Sequence, residues 1–247
     1  MYNKKEIAKN IVYGRNPVLE FLKAGKRSVN KLFISKTARG SVVKEIISIA
    51  KHKGVAVHTV PPKKLDRFSK KSQGLVAEIS SIEYIELLDL IKKAKRSIKP
   101  LLVILDGIED PHNLGAIIRN CVIFGVDGVI IPKWRAVSIN ESVSKASAGA
   151  VEHIAISKVS NVNQAINLLK ENNFWIVGAE NGGKTLEETN FFFPLVIIVG
   201  SEGYGLHDLT KKSCDFLISI PQKNIISSLN VSCAVAIILH EIFKKRK

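Results

Sequence analysis

The chain has 247 residues, 46% hydrophobic and 24% charged, with 37 Lys and Arg against 22 Asp and Glu for a formal net charge of +15. This length and apolar share support a sizeable core in one large or two smaller domains. Cys121, Cys214 and Cys233 stand far apart without CxxC or His-pair spacing, which excludes a disulfide framework or a zinc site and fits a reducing cytosol.

MYNKKEIAKN at the start has no apolar h-region and so is no secretory signal, and VSCAVAIILHEIF is too short and interrupted to span a bilayer. A soluble, cytoplasmic protein with no membrane partner is expected. Charge is unevenly spread: residues 1–100 hold 23 Lys and Arg against 8 Asp and Glu, residues 101–247 hold 14 against 14. A neutral segment joined to a strongly basic one suggests a chemical domain tethered to a polyanion-binding domain. The other reading is a solvated Lys-rich surface, since 29 of the 37 basic residues are Lys.

In chain order, residues 16–23 read as a helix, KLFIS (31–35) as a strand, 41–52 as a helix and VAVHTV (55–60) as a strand. Pro61-Pro62 start a short helix through Phe68, and GLVAEIS (74–80) closes a βαβαβ unit. Residues 1–80 are thus one small domain. EYIELLDLIKKAKRSIKP, within 81–100, has helical spacing and ends at Pro100, either as a linker helix or as the first helix of a second domain. From 101 to 247 strands alternate with helices, at LLVILDG, GVIIP, HIAIS, FWIVGAE, LVIIVG and LISIP, which argues for a parallel sheet covered on both faces.

Three of these runs end in polar clusters: LVILDGIEDPHNLGAIIRN (102–120), PLVIIVGSEGYGL (194–206) and LISIPQKNIISSLNVSCAVAIILHEIF (217–243). Buried parallel strands that deliver Gly, Asn, Ser, Glu or Arg to a loop before a helix mark where open α/β sheets place ligands, so three such ends imply one composite site. Gly200, Gly203 and Gly205 allow close backbone approach to a ligand or simply a tight turn. Asn113 and Arg119 flank a helix opening, where they either share a phosphate or ribose or serve as N-cap and surface charge. Glu202 is an acid beside the glycines or a solvated loop acid, and Ser228 and Asn230 open the last helix, where capping and catalysis are compatible.

In order and spacing these clusters resemble the three motifs of the SPOUT-class, TrmH-type (SpoU) RNA 2′-O-ribose methyltransferases. YGRNPVLEFL (13–22) and QGLVAEI (73–79) are similar to the substrate-binding domain of members that act on ribosomal-RNA guanosines, although SQG (72–74) stands where His-Gln-Gly is common. The resemblance implies a small N-terminal α/β RNA-binding domain before a C-terminal parallel-sheet domain with a trefoil knot, and a homodimer through that domain. It implies S-adenosylmethionine, without a metal, held near Gly200, Ile220 and Leu229, and a catalytic set of Asn113, Arg119, Glu202, Ser228 and Asn230. Arg119 is expected to orient and stabilise the alkoxide, because a guanidinium stays protonated. His112 suits a base by its chemistry, but the family gives it no such task. Arg15, Asn16, Lys26, Arg27, Lys63, Lys64, Lys70 and Lys71 are expected to contact phosphates. The expected reaction is methylation of a guanosine 2′-OH in 23S rRNA. A tRNA substrate and a non-catalytic ribosome-assembly factor are the alternatives.

Overall fold

The computed structural model describes residues 11–25, 28–80, 82–134, 136–223 and 228–246. The N-terminal decapeptide, with Lys26 and Arg27 of the expected phosphate surface, lies outside the described residues. The chain runs β1 (Ile11–Tyr13), α1 (Arg15–Ala24), β2 (Val29–Ser35), α2 (Ser41–His52), β3 (Ala56–Val60), α3 (Pro62–Asp66), β4 (Leu75–Ile79) and α4 (Leu87–Ala94). It continues through β5 (Leu101–Leu105), α5 (Pro111–Ile123), β6 (Gly128–Pro132), α6 (Glu141–Ala146), β7 (Ala155–Val159) and α7 (Val162–Glu171). It ends with β8 (Trp175–Thr185), β9 (Leu195–Val199), α8 (Asp208–Ser213), β10 (Phe216–Ser219) and α9 (Val231–Arg246). Two compact units result: residues up to Glu83 with Ile139–His153, and Tyr84–Ser138 with Ile154 onward.

The first unit is a sheet of order β1-β4-β2-β3, with β4 antiparallel to β1 and β2, and β2 parallel to β3. Alternation along the strands makes two faces. Leu75, Ala77 and Ile79 of β4 pack with Leu32 and Ile34 under α1 and α2. Val76 turns the other way, to Ile11, Val60 and Leu65 of α3. The expected βαβαβ order is present, with β1 added at an edge; three residues are too few for a period to register.

Residues Ile139–His153 join this unit although they follow β6 in sequence. There α6 packs against β1, Lys145 Nζ lies 4.5 Å over the Tyr13 ring, and His153 Nε2 is 3.4 Å from Glu20 Oε2. The division expected at residues 80–100 misses this excursion, because helical spacing shows that a helix has an apolar face but not which sheet receives it. Residues 84–100 belong with the second unit, as its first helix and not a linker. Ile85 bridges to Ser157, and Leu90, Ile91 and Ala94 of α4 are buried in the second core.

The second unit contains all six expected strands, parallel throughout, in the order β10-β8-β9-β5-β6-β7. Leu101–Leu105 are wholly buried, which explains an unbroken apolar run in place of alternation. Leu102, Ile104 and Ile198 meet Ile91 of α4 and Ile166 of α7, and the helices α5 and α9 pack together, with α5 against β6. Each such buried side chain contributes about 1.5–3 kcal/mol. Arg246 ties α9 to the sheet, with Nη2 at 2.9 Å from Asp127 Oδ2, Nε donating to Lys99 O at 2.7 Å and Nη1 donating to Gly125 O. Among the described residues no helix is long and apolar enough to cross a membrane.

Strand order reverses at the β5–β9 pair: β6 and β7 follow on one side, β8 and β10 on the other. Such a switch point opens a crevice beyond the carboxyl ends of the strands, where ligands bind.

Candidate active site

The Asp106 N–H donates to Val199 O at 2.8 Å, so β5 and β9 end level and their loops leave together. Beyond β9, Ser201 and Gly205 exchange backbone hydrogen bonds of 3.1 and 3.0 Å, folding the loop back on Gly200. A Cβ on Gly200 would stand 2.0 Å from Gly205 O, so only glycine fits. The tight turn and the close-approach surface are therefore the same feature.

The second wall comes from a break in register. Gly178 of β8 pairs with Leu217, but the next partner, of Ile218, is Lys184. The residues between leave the ladder, as at a bulge. A Cβ on Gly183 would lie 2.6 Å from Leu217 C, so glycine lets the strand return. The displaced segment carries Glu180, whose Oε2 accepts from Leu206 N at 3.0 Å and whose Oε1 is 3.2 Å from Lys211 Nζ.

Two cavities flank the Gly200 loop. The first, about 240 Å³, sets Gly200, Glu180 and Ser228 against Ile218, Ile220, Leu229 and Ile238. The second, about 370 Å³, is lined by Gly107, Ile108, Asp110, Asn113 and His207. Ser201, Glu202, Tyr204 and Val231 belong to both. The expected donor residues Gly200, Ile220 and Leu229 all line the first.

At the shared wall three side chains interlock. Asn113 Nδ2 donates to Glu202 Oε2 at 2.9 Å, and Asn230 Nδ2 donates to Asn113 Oδ1 at 3.0 Å and Glu202 Oε1 at 3.3 Å. Asn230 Oδ1 accepts from Ser232 N at 2.9 Å and Cys233 N at 3.4 Å, so the residue also caps α9. Asn113 is positioned by a regular helix start, with Asp110 accepting from His112 N and Asn113 N and Pro111 in the first turn. The cap is thus Asp110 and not Asn113, and PHNLG is a favourable opening.

Arg119 is not in this cluster. Six residues along an α-helix turn 600°, which leaves Arg119 about 120° around from Asn113. Its neighbours Ile117, Ile118 and Cys121 point into the core while Arg119 is exposed. The expectation that one chain lets both side chains grip the same group fails on this geometry. Ser228 is exposed and lines the first cavity without joining the hydrogen-bonded set.

In the first unit Asn16, Lys63, Lys64, Lys70 and Lys71 are exposed. Because α1 and α3 pack on opposite faces of the sheet, Asn16 and the Lys63–Lys64 pair do not form one patch. Arg15 is half-buried, its N–H donating to Gln73 Oε1 at 3.1 Å and its Nε without a hydrogen-bond partner among the described residues. Ser72 is buried and its Oγ accepts from Gly74 N at 3.4 Å, so the serine keeps a local bond to its own loop.

Four site residues escaped the sequence reading: Asp106, Glu180, Tyr204 and His207. The signal for Asp106 is its place directly after an apolar strand, and for Tyr204, 91% exposed, an aromatic between two loop glycines. Glu180 depends on a bulge that no local pattern announces. Among the described residues no group of three or more His, Cys, Asp or Glu is placed to hold a metal.

An apolar slot edged by backbone and a few polar groups suits a nucleoside-like ligand. A second cavity against the same wall suits a partner in group transfer. Comparison with known proteins agrees. The family model for the SpoU rRNA methylase family matches residues 100–240, and that for RNA 2′-O ribose methyltransferase substrate binding matches residues 11–85. YacO of Bacillus subtilis (strain 168), by name a TrmH family tRNA/rRNA methyltransferase, is 39% identical over 238 residues, 95% of each chain. The SpoU methyltransferase AviRb from Streptomyces viridochromogenes, crystallised with AdoMet, is 20% identical and superposes with a TM-score of 0.82 over 99% of this chain and 94% of its own. The AdoMet-bound rRNA methyltransferase from Sinorhizobium meliloti, 24% identical, gives 0.79 over 98% and 89%.

Proposed function

The chain belongs to the SpoU rRNA methylase family and is an RNA 2′-O-ribose methyltransferase of the TrmH/SpoU type, and on that premise we propose that it uses S-adenosylmethionine to methylate a guanosine 2′-OH in 23S rRNA. The observation that carries this reading is the wall of Ser201, Glu202, Tyr204 and Val231 shared by two adjoining cavities. S-adenosylmethionine supplies a methyl group already activated on a sulfonium. Positioning is therefore most of the remaining work.

Ile218, Ile220 and Leu229 give the adenine an apolar slot, and the Gly200 turn brings main-chain groups to its edge. The Asn113–Glu202–Asn230 set fixes two amides and a carboxylate at the junction, where a ribose hydroxyl can be held against the donor compartment. The basic balance of the first hundred residues and the substrate-binding match favour a large, structured RNA. The N-terminal motifs resemble those of the rRNA guanosine members, which favours 23S rRNA over tRNA.

A homodimer is part of the same reading. Ile123 of α5 and Ile237 and Phe243 of α9 are exposed at 59%, 41% and 40%, an apolar cost that a second copy would remove. Arg119, outward on α5, would then serve a site other than its own chain's, orienting RNA phosphate and stabilising the developing alkoxide. We read residues 194–206 and 217–243 as the knotted part of a trefoil on family resemblance. The free thiols of Cys121, Cys214 and Cys233 favour the cytoplasm.

The test is transfer of labelled methyl from S-adenosylmethionine to unmodified 23S rRNA and, separately, to tRNA, with nuclease mapping and Arg119→Ala as control. Label in a 23S guanosine ribose, absent with the variant, is expected. Label only in tRNA overturns the substrate, and donor binding without transfer to either favours the non-catalytic assembly factor.

A further inference from the structure

Directly beyond β5 the Asp106 carboxylate, its side chain 9% exposed, accepts through one oxygen from Thr210 Oγ1 at 3.1 Å and meets His207 Nδ1 at 3.0 Å. An ionised carboxylate only accepts, so the hydrogen between ring and Oδ2 belongs to Nδ1. In the neutral imidazole the other nitrogen, Nε2, then carries a lone pair. The ring is 57% exposed and lines the second cavity with Asn113 and Glu202. A buried carboxylate that fixes the tautomer of an accessible imidazole is the orienting half of a general base.

We propose that His207 Nε2 takes the proton of the ribose 2′-hydroxyl, with Asp106 as the positioning residue that keeps Nε2 free to accept it. The inference rests on the 2′-O-methyl transfer reading. As the O–H bond breaks toward Nε2, the ribose oxygen forms its bond to the methyl carbon, and the carbon–sulfur pair stays with sulfur. Imidazole becomes imidazolium while the sulfonium becomes a neutral thioether, so charge is conserved.

Two of the competing carboxylates, Glu202 and Asp110, are committed elsewhere, while Glu109 at the cavity edge is a third carboxylate in competition. Both Glu202 oxygens hold amide donors, and both Asp110 oxygens cap α5. Arg119 is permanently protonated, and His112 does not line the cavity. The titratable groups facing His207 are Asp106 beneath it, Glu109, Asp110, Glu202 and Tyr204 around the cavity, and Asp208 and Lys211 on its own helix. Of these, Asp106 is bonded to the ring.

The experiment measures single-turnover methyl transfer against pH in the full chain, for wild type, His207→Gln and Asp106→Asn. Wild type should climb through one ionisation and level. His207→Gln should lose that ionisation and about 10²–10⁴-fold in rate, with S-adenosylmethionine and RNA affinities within about threefold of wild type. Asp106→Asn can present an amide donor to Nδ1 and shift the ring hydrogen to Nε2, so it should lose most of the same rate. Imidazole ¹⁵N shifts in the unliganded wild type report the tautomer without turnover and replace Asp106→Asn should that variant not fold. A His207→Gln rate within about threefold of wild type with the ionisation intact, or an Nε2–H tautomer, overturns the proposal. A wild type that methylates no ribose defeats the functional reading itself, a distinct result.

Discussion

Asn113 donates through Nδ2 to Glu202 Oε2 at 2.9 Å, joining residues 89 positions apart across the β5–β9 switch point. One comes from the first turn of α5 and the other from the loop after β9, so the bond forms only when the two strands end level. Asn230, at the start of α9, completes the set from a third element. Each amide is oriented by the others: Asn113 spends its oxygen on Asn230 and its nitrogen on Glu202.

Glu202→Gln tests that orientation. The new Nε2 would face an amide donor, and turning Asn113 to offer oxygen would break its bond from Asn230. An unmatched pair at this accessible site costs about 1 kcal/mol. Methyl transfer should fall while the melting temperature barely moves. An unchanged rate would reduce the cluster to a loop fastening.

Gly200→Ala places a Cβ 2.0 Å from the Gly205 carbonyl oxygen. That overlap opens the turn, and overpacking costs about 1–3 kcal/mol. Calorimetric titration should show S-adenosylmethionine binding weakened about 5- to 150-fold, with far-ultraviolet circular dichroism retained because β5 and β9 lie below the turn. Wild-type affinity in this variant would place the donor elsewhere.

The strands β5, β6 and β9 were legible because each is buried on both faces and reads as an apolar run, and β7, β8 and β10 keep a shorter apolar run at partly exposed positions. By contrast, β1 is three residues long, and α6 docks on the first unit through contacts that its own period cannot announce. Asn113, Glu202 and Asn230 were found through the polar ends of those runs. Arg119 is exposed on α5 and stands apart from Asn113 within one chain, an angle around the helix that closeness in sequence does not show. Asp106 and His207 are 101 positions apart, and each alone looks like an ordinary loop residue.

Arg246→Ala removes the ion pair to Asp127 and the donors to Lys99 O and Gly125 O. Both ion-pair side chains are mostly buried, and among the described residues Asp127 then keeps Leu101 N and Ser97 Oγ as partners. Removing one member of such a pair costs about 3 kcal/mol, or about 6–12 °C in Tm for a chain this size. Scanning calorimetry checks it. A shift under about 2 °C would mean that α9 is held by apolar packing alone.

The three thiols should separate by burial. Burial pushes the Cys214 thiol up to about 11, with the nearby Lys170 charge opposing it, and raises Cys121 further. At pH 8 the Cys214 thiolate is then about one part in a thousand. Iodoacetamide followed by peptide mass spectrometry should modify Cys233, exposed at the start of α9, well before the other two, which should react only in denaturant. Labelling of Cys121 in the native protein would contradict its place in the core.

Lys63 and Lys64 make the RNA surface testable without disturbing the fold, since both are exposed and their helix is anchored by Leu65. If each neutralises one phosphate, the Lys63→Gln, Lys64→Gln pair should lower the slope of log K against log salt by about 1.4–1.8. Affinity should fall alike for rRNA and tRNA, because phosphate contacts position without reading bases. Asn16 lies on the opposite side of the sheet, so Asn16→Ala should leave the salt slope unchanged. An unaltered slope in the double lysine variant would move the RNA path off α3 and toward the face that carries Arg15 and Asn16.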